Sequence, residues 1–153
     1  MTDIHSQQVR SYNMSRIRSK NTKPEIIVRK FLYSLGYRYR LNVKKLPGKP
    51  DIVIRKYRIV IFINGCFWHG HEGYPCFVLP KTNTEWWRQK INRTQQRDVQ
   101  HTEDLLKQNW NVIIIWECQL KPKIREQTLF QLSIILSHLV LRHYNSLYTN
   151  KKF

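Results

Sequence analysis

The chain is poor in acidic residues, in cysteine and in long apolar segments, and each shortage narrows what it can be. Only 10 aspartates and glutamates stand against 27 lysines and arginines in 153 residues, a formal charge of +17. Such an excess of one sign destabilises a compact domain unless a polyanion neutralises it, so we expect a nucleic-acid partner. The alternative from composition alone is a soluble or ribosome-associated basic protein.

The shortage of apolar segments and of cysteine bears on the compartment. No stretch is long enough to span a bilayer, and the first residues lack the apolar core of a secretion signal. The 3 cysteines cannot all pair with one another. We therefore expect a cytoplasmic protein without membrane contact, in which the thiols are reduced and bind metal rather than form disulfides.

Hydrophobic spacing predicts one α/β domain over residues 1–153, with a mixed central sheet flanked by helices. Residues 1–20 are polar and basic, which indicates an N-terminal arm. The predicted order is then helix, three strands, long helix, strand, helix. The first part comprises a helix from Thr22 to Gly36, strands 37–41, 52–54 and 58–63, and an irregular loop 64–80. A helix from Glu85 to about Asn109, a strand 112–116 and a final helix 125–145 follow. We expect a Thr22–Glu25 capping box at the first helix, Thr84 as the cap of the long helix, and burial of strand 112–116 on both faces. The strand–helix–strand unit near the end predicts a parallel pair.

The segment Ile61–His71 has the most unusual composition in the chain. It joins a strand end to Cys66, Phe67, Trp68 and His69 within a few residues. Core packing does not require adjacent aromatic residues, a thiol and imidazoles in a loop. Aromatic side chains beside a metal site suit a protein that acts on stacked bases, because they can enter the stack and gain stacking energy.

The cysteine and histidine spacing predicts a structural metal site. Cys66, His71 and Cys76 lie in the loop at intervals of five residues, and Cys118 follows the strand that begins at Val112. Three thiolates and one imidazole form a closed tetrahedral Cys₃His site, which is typical of structural Zn²⁺. His69 could replace His71 as the ligand, and buried free thiols are the simpler alternative.

Polar residues before and after the buried strands are candidates for catalysis. Asp51 follows Pro50 at the start of a buried strand, where a carboxylate suits a hard cation such as Mg²⁺ or simply closes a turn. His69 is a candidate general base. Asn64 could orient a phosphate or a water molecule. Glu25 is a capping partner of Thr22 unless that helix start faces Asp51.

Taken together, these residues resemble the very short patch repair (Vsr) family of DNA mismatch endonucleases. The matching pieces span about residues 5–120 in order, and the last thirty or so residues match only as a helix. The pieces include Arg10-Ser11, Leu46-Pro-Gly-Lys-Pro-Asp51, Gly65-Cys-Phe-Trp-His69, Thr84-Glu-Trp-Trp87, Arg97-Asp98 and Trp116-Glu-Cys118. The resemblance implies a restriction-endonuclease-like fold. It also implies a bacterial, nucleoid-associated enzyme.

The resemblance further implies an activity. Such an enzyme nicks duplex DNA on the 5′ side of the thymine in a T·G mismatch, which arises when 5-methylcytosine deaminates, to start very short patch repair. The hydrolysis of the phosphodiester would depend on Mg²⁺. We expect a monomer whose partner is double-stranded DNA with the mismatch, together with repair-protein partners.

The family also implies roles for individual residues. Asp51 would bind Mg²⁺ together with the main-chain carbonyl of Ile63, His69 would be the general base, and Glu25 would act through the water shell of the metal. The aromatic wedge inserted beside the mismatch would be Phe67, Trp68 and Trp87. Trp87 aligns rather than Trp86 because the zinc loop is one residue longer here.

Three positions depart from the family pattern. Asn64 stands where some members have a second active-site histidine, Gly73 occupies the usual cysteine region so that Cys76 must serve, and no Glu-x-Lys signature follows Asp51. Two alternatives therefore remain open from sequence: a restriction-type nuclease specific for a sequence rather than a mismatch, and a non-catalytic zinc module that binds DNA.

Overall fold

The computed structural model describes residues 5–151, so the first four residues of the predicted arm and the last two of the domain lie outside it. It is a mixed α/β structure with a four-stranded sheet in the order β1-β2-β3-β4. The helices are α1 (Gln7–Ser15), α2 (Lys23–Ser34), α3 (Thr84–Lys107) and α4 (Arg125–Thr149), and the strands are β1 (Arg40–Leu41), β2 (Ile52–Ile54), β3 (Ile59–Asn64) and β4 (Asn111–Trp116). Short 3₁₀ helices cover Arg55–Tyr57 and Glu117–Leu120.

The sheet is antiparallel on one side and parallel on the other. β1 pairs with β2, and β2 with β3, in antiparallel register, whereas β3 and β4 are parallel over six residue pairs from Ile59↔Asn111 to Asn64↔Trp116. Helix α3 connects β3 to β4. The predicted mixed sheet and the predicted parallel pair are therefore confirmed.

Helices cover both faces of the sheet. On one face Ile52, Ile54, Ile59 and Ile61 pack against residues of α2 and α4, such as Leu32. On the other face Val53 and Val60 pack against Leu105 of α3 and Trp110. The alternation follows from the two-residue period of a strand, which sends successive side chains to opposite faces.

Helix α2 begins and ends near the predicted residues because its signals are local. Thr22 is the N-cap and its Oγ1 accepts a hydrogen bond from the Glu25 N–H. Gly36, just after the C-cap, has a φ of 85°, which the left-handed end of a helix favours. Among the helices within residues 5–151, none is both long and apolar enough to cross a membrane.

The prediction that strand 112–116 is buried on both faces was wrong. β4 is an edge strand of the sheet, with Ile114 44% exposed and only Ile115 fully buried. Its β-branched run gave the pattern of a central strand, but the position of a strand in the sheet is decided by long-range pairing. β3 is the strand buried between two neighbours.

Other element boundaries also differ from the predictions. The predicted strand 37–41 is reduced to two residues, the strand after Tyr57 begins at Ile59 rather than Arg58, and the final helix extends to Thr149. Helix α1 in the arm was not predicted; Ser6 caps it by accepting from the Val9 N–H. Thr84 is the first residue of α3, not its cap: its hydroxyl donates to the Pro80 carbonyl at 2.7 Å, and the N-cap is Asn83.

Candidate active site and metal-binding cluster

The first feature of the site is a carboxylate held at the junction of two strands. β2 and β3 are antiparallel, so the start of β2 lies beside the end of β3. Asp51, which directly precedes β2, therefore meets Ile63, and the Ile63 N–H donates to Asp51 Oδ2 at 2.7 Å. In the turn before Asp51, Gly48 approaches α3 so closely that a Cβ at this position would lie 3.0 Å from the His101 ring.

A cavity of about 450 Å³ opens in front of Asp51. It brings together Glu25, Asn64 and His69, the other three residues that the sequence analysis named as catalytic candidates. Its remaining lining comes from the segment after α1, from the start of α2, from the turn before β2, from the end of β3 and the loop after it, and from the residue that follows β4. Those residues are Ile17, Arg18, Ser19, Thr22, Pro24, Gly48, Lys49, Phe62, Ile63, Gly65, Trp68 and Glu117.

Burial is the main influence on the Asp51 carboxylate. The pKa of this carboxyl is raised to about 6, chiefly by loss of solvation and also by the negative charge of Glu25, although the Ile63 N–H and the charges of His69 and Arg29 lower it. The net result is a carboxylate whose ionisation is costly without a cation in the cavity.

His69 is oriented by a residue that the sequence analysis did not identify as functional. Its Nδ1 lies 2.7 Å from Oδ2 of Asp98, which projects from α3. A carboxylate on one ring nitrogen fixes the imidazole and leaves Nε2 for chemistry. A signal was present, because Asp98 belongs to the inward stripe of α3 at helical spacing from buried Ile91 and Leu105.

Glu25 is almost fully buried, 3% exposed. Its Oε2 accepts from the Asn21 N–H at 2.8 Å and from Arg29 Nη2 at 2.8 Å. Arg29 Nη1 also donates to the Asn21 side chain. Glu25 lines the same cavity as Asp51 and its charge acts on that carboxylate, so the helix start faces Asp51 and Glu25 is placed for a role beyond capping.

Three further residues of the cavity wall were missed from sequence. Arg18 and Lys49 add positive charge, and both belong to basic clusters that gave no indication of which members would meet. Glu117, just after β4, accepts from the Cys66 N–H at 3.1 Å. Asn64 is 7% exposed, and within residues 5–151 its side chain has no hydrogen-bond partner.

The four predicted zinc ligands form one cluster. The ligand atoms of Cys66, His71, Cys76 and Cys118 all lie within 4.8 Å of one another. His71, not His69, completes the group. Its ring stacks between Tyr74, at 3.9 Å, and Trp116, at 4.0 Å. This packing fixes the orientation of the imidazole.

The chemistry of this donor set fits a soft or borderline cation. Burial is the main cause that raises the pKa of Cys66 to about 12 and that also raises the pKa of Cys118, so thiolates form there only if a cation compensates them. Three sulfurs and one imidazole nitrogen are typical ligands of structural Zn²⁺. The group could therefore hold such a metal.

The aromatic residues of the loop and of α3 form a contiguous cluster beside the cavity. Phe67 lies 5.1 Å from Trp68 and 5.2 Å from Trp87, measured between ring centroids. Trp86 contacts Trp87 at 4.8 Å but is 55% exposed. Lys90 Nζ lies within 6 Å of the rings of Trp68, Trp86 and Trp87. Trp68 also lines the cavity.

Comparisons with known proteins identify the family to which the chain belongs. The family model described as DNA mismatch endonuclease Vsr matches residues 2–81. The type II nicking enzyme V.NmeAIP of Neisseria meningitidis is 49% identical over 126 residues, 80% of this chain and 87% of the relative. The type II nicking enzyme V.XorIIP of Xanthomonas oryzae is 47% identical over 120 residues, 78% of this chain and 88% of the relative. The DNA mismatch endonuclease Vsr of Escherichia coli is 40% identical over 123 residues, 80% of this chain and 78% of the relative. The chain therefore belongs to the Vsr family of DNA mismatch endonucleases.

Proposed function

We propose that this protein nicks double-stranded DNA on the 5′ side of the thymine in a T·G mismatch, by Mg²⁺-dependent hydrolysis of the phosphodiester. The observation that carries the proposal is that Asp51 and His69 line the same cavity as Trp68, whose ring belongs to the aromatic cluster. Groups suited to hydrolysis thus stand beside groups suited to unstacking bases. A relative named a mismatch endonuclease and relatives named nicking enzymes support both halves of the reaction.

His69 acts as the general base in this proposal. Asp98 holds its Nδ1, so Nε2 accepts the proton of a water molecule as that water attacks the phosphorus. One P–O ester bond breaks, and the departing oxygen takes a proton from solvent to become a hydroxyl. The Asp98 carboxylate stabilises the imidazolium that forms, in the way that a triad aspartate does. Arg18 and Lys49 supply positive charge to the phosphate, and the buried Asn64 side chain orients the phosphate or the water.

Asp51 and the main-chain carbonyl of Ile63 would hold Mg²⁺. The carbonyl is expected on the Asp51 side, because the N–H and C=O of a strand residue point to the same neighbouring strand and the Ile63 N–H donates to Asp51. When bound, Mg²⁺ neutralises charge on the attacked phosphate and the leaving oxygen. Glu25 would act through the water shell of a bound Mg²⁺.

The Cys₃His cluster would hold Zn²⁺ in a structural role. Cys66, His71 and Cys76 belong to the loop after β3, and Cys118 to the 3₁₀ helix after β4. Closing the coordination shell ties this loop to the neighbouring strand. The loop also carries His69 and the aromatic residues, so the site positions both without taking part in the reaction.

Phe67, Trp68 and Trp87 would be the wedge that enters the base stack. Partial burial against one another holds them in place, and stacking on an aromatic ring is worth roughly 1–3 kcal/mol per base. A mismatched step costs less to open than a paired one, which favours insertion there.

We also infer that the four-stranded sheet with its flanking helices is a restriction-endonuclease-like core. The mixed sheet, the acidic residue at the start of β2 and the helix between the parallel strands support this assignment.

The proposal is tested with three labelled duplexes: one containing a single T·G pair, a T·A twin and a C·G twin, each incubated with Mg²⁺ or without it. We expect a single nick 5′ of the thymine, in the T·G duplex only and only with Mg²⁺. Equal nicking of the T·A or C·G twin would identify a sequence-specific nuclease, and binding without nicking a zinc module. Asp51→Ala serves as the control, since it should keep DNA affinity and lose nicking.

A further inference from the structure

We propose that the exposed face of α3 reads the sequence beside the mismatch, with Arg93 and Gln96 contacting base edges in the major groove. This inference rests on the proposed function, because it assumes that the aromatic cluster marks the mismatch. It assigns sequence selection to residues outside the catalytic cavity, the zinc cluster and the wedge.

The inner face of α3 is fixed to the active site. Asp98 holds His69, and Gln95 Nε2 donates to the Gly70 carbonyl at 2.9 Å. Ile91 and Gln95 approach Gly70 so closely that a Cβ there would lie 2.6 Å and 2.5 Å from their side chains. Helix α3 is therefore packed tightly against the catalytic loop, so a DNA contact on its outer face would affect the position of His69.

The outer face of α3 carries polar side chains suited to bases. A shallow groove of about 670 Å³ is lined by Trp86, Gln89, Lys90, Arg93, Gln96 and Arg97. No carboxylate occurs between Arg88 and Arg97 in the sequence. Arg93 and Gln96 are exposed, and in the described chain neither forms a hydrogen bond or an ion pair. Their neighbours are engaged, since Arg97 donates to Thr94 and Arg88 pairs with Glu85.

The chemistry of these two side chains matches the major-groove code. An arginine can donate two hydrogen bonds to O6 and N7 of guanine, and a glutamine can pair in the same bidentate manner with N6 and N7 of adenine. A major groove is wide enough to admit an α-helix. Both side chains line one groove with Trp86, whose ring contacts Trp87 of the wedge at 4.8 Å, so insertion of the wedge would bring this face of the helix to the DNA.

The spacing limits which base pairs they reach. At ~1.5 Å per residue, Arg93 lies about 9 Å and Gln96 about 13–14 Å from Trp87 along the helix axis. Because one base-pair step rises ~3.4 Å, these distances correspond to positions within about four base pairs of the inserted wedge. The two residues should therefore affect different positions on the same side of the mismatch.

A T·G duplex library with four randomised base pairs on each side tests this inference. The nicked products and, separately, the bound fraction are sequenced for the wild type and each variant. We expect Arg93→Ala to relax the wild-type preference at one position by roughly five- to a hundred-fold, and Gln96→Ala to relax another. Arg93→Lys should keep overall affinity but still lose the preference, since an ammonium cannot pair bidentately.

The controls are Arg142→Ala and Gln127→Ala, which alter exposed residues of the same types on α4 and should leave every preference unchanged. A wild type without preference within four base pairs overturns the inference. So does a uniform loss of affinity in Arg93→Ala with all preferences retained, which would identify a phosphate contact. If no member of the library is nicked, the proposed function is contradicted, and the bound fraction still decides whether Arg93 and Gln96 read bases.

Discussion

At the scale of single residues, the imidazole of His69 depends on a partner 29 positions away, Asp98. A carboxylate accepts a hydrogen bond from Nδ1–H and stabilises positive charge on the ring, whereas an amide carries no charge and its NH₂ group can hold the wrong tautomer. We therefore expect Asp98→Asn to lower the single-turnover nicking rate by about 10–100-fold while the affinity for T·G DNA stays the same.

The matched control for this prediction is Asp104→Asn, which changes the same residue type on the same helix where the carboxylate accepts from Gln100 at 2.9 Å. It should nick at the wild-type rate. A normal rate in Asp98→Asn, or a loss of DNA affinity equal to the loss in rate, would show that Asp98 does not act through His69.

Asp51 gives a prediction about stability and pH. Its folded pKa of about 6 lies above the ordinary value of 3.8, so between these two values the folded state binds more protons than the unfolded state. Stability from this group is therefore fully present below pH 3.8, falls as the pH rises to 6, and stays low above that. The cost of ionising it at pH 8 is roughly 2–3 kcal/mol.

Asp51→Asn should accordingly be more stable than the wild type at pH 8, by about that amount, and nearly equal to it at pH 4. Urea denaturation at both pH values without added Mg²⁺ measures the difference between the two proteins, in which titrations of other groups cancel. A difference that is the same at both pH values would argue against a raised pKa.

The residues of the site divide by how far their signals extend along the chain. Cys66, His69 and His71 stood out because unusual types are crowded into one short segment. Asp51 stood out by its place at the start of a buried strand, and the resemblance added its role. Asp98, Arg18 and Lys49 were missed because their roles exist only once α3, the segment after α1 and the turn before β2 meet at one cavity. Nothing in the local sequence distinguishes Arg18 and Lys49 from the other basic residues of the chain, whereas the position of Asp98 on the inward stripe of α3 was a signal.

At the scale of elements, the contact between the catalytic loop and α3 requires a glycine. Gly70 has a φ of 64°, and a Cβ there would lie 2.5 Å from Gln95 Nε2 and 2.6 Å from Ile91 Cγ2. Gly70→Ala should therefore separate the loop from the helix. We expect it to lower the free energy of unfolding by about 2–5 kcal/mol, the sum of backbone strain and overpacking, and to reduce nicking.

Gly73→Ala is the control that isolates packing from strain. Gly73 also has a positive φ, 80°, but nothing lies within 4 Å of the position of its Cβ. This variant should be destabilised by backbone strain alone, about 1–2 kcal/mol, as measured by thermal or urea denaturation. Equal destabilisation of the two variants would mean that the contact with α3 carries no energy.

The predictability of each element followed from where its determinants lie. Helix α2 was predicted nearly to the residue because the Thr22 cap and the terminal glycine are local signals. The predicted capping box is only half formed, because the Glu25 carboxylate accepts from the Asn21 N–H rather than from the Thr22 N–H. The burial of β4 was predicted wrongly because its apolar run does not reveal that it pairs on one side only. Helix α1 was missed because it buries no residue, so it lacks the apolar stripe by which helices are detected.

At the scale of the whole molecule, the metal cluster joins the loop after β3 to the segment after β4. Structural Zn²⁺ contributes apparent binding energies of about 10–16 kcal/mol, comparable to the entire stability of a domain of about 5–15 kcal/mol. We therefore expect the purified protein to contain one zinc per chain and a strong chelator to unfold it or lower its Tm by tens of degrees.

His71→Ala is the control for chelation, because it removes one of the four ligands of the cluster. It should have a low Tm that the chelator lowers little further. Active protein that contains no zinc by elemental analysis, or a wild-type Tm that the chelator leaves unchanged, would exclude a structural zinc.

The net charge of +17 is the last property that belongs to the molecule as a whole. Basic residues from the arm, from the turn before β2 and from α3 meet around the cavity and the groove, so several phosphates should be neutralised together. Each releases counterions, and the logarithm of the association constant should fall against the logarithm of salt concentration with a slope of roughly −0.9 per phosphate. For about 6–10 phosphates, that slope is roughly −5 to −9.

Fluorescence anisotropy with T·G and T·A duplexes between 50 and 200 mM salt (roughly the range over which such slopes are resolved) measures it. The two slopes should agree although the affinities differ, because phosphates supply the salt dependence and the mismatch supplies an additional, uncharged contribution from stacking. A steeper slope for T·G alone would mean that the protein distinguishes the mismatched duplex from the paired one by electrostatics. The basic side chains, rather than the aromatic cluster, would then be responsible for the preference.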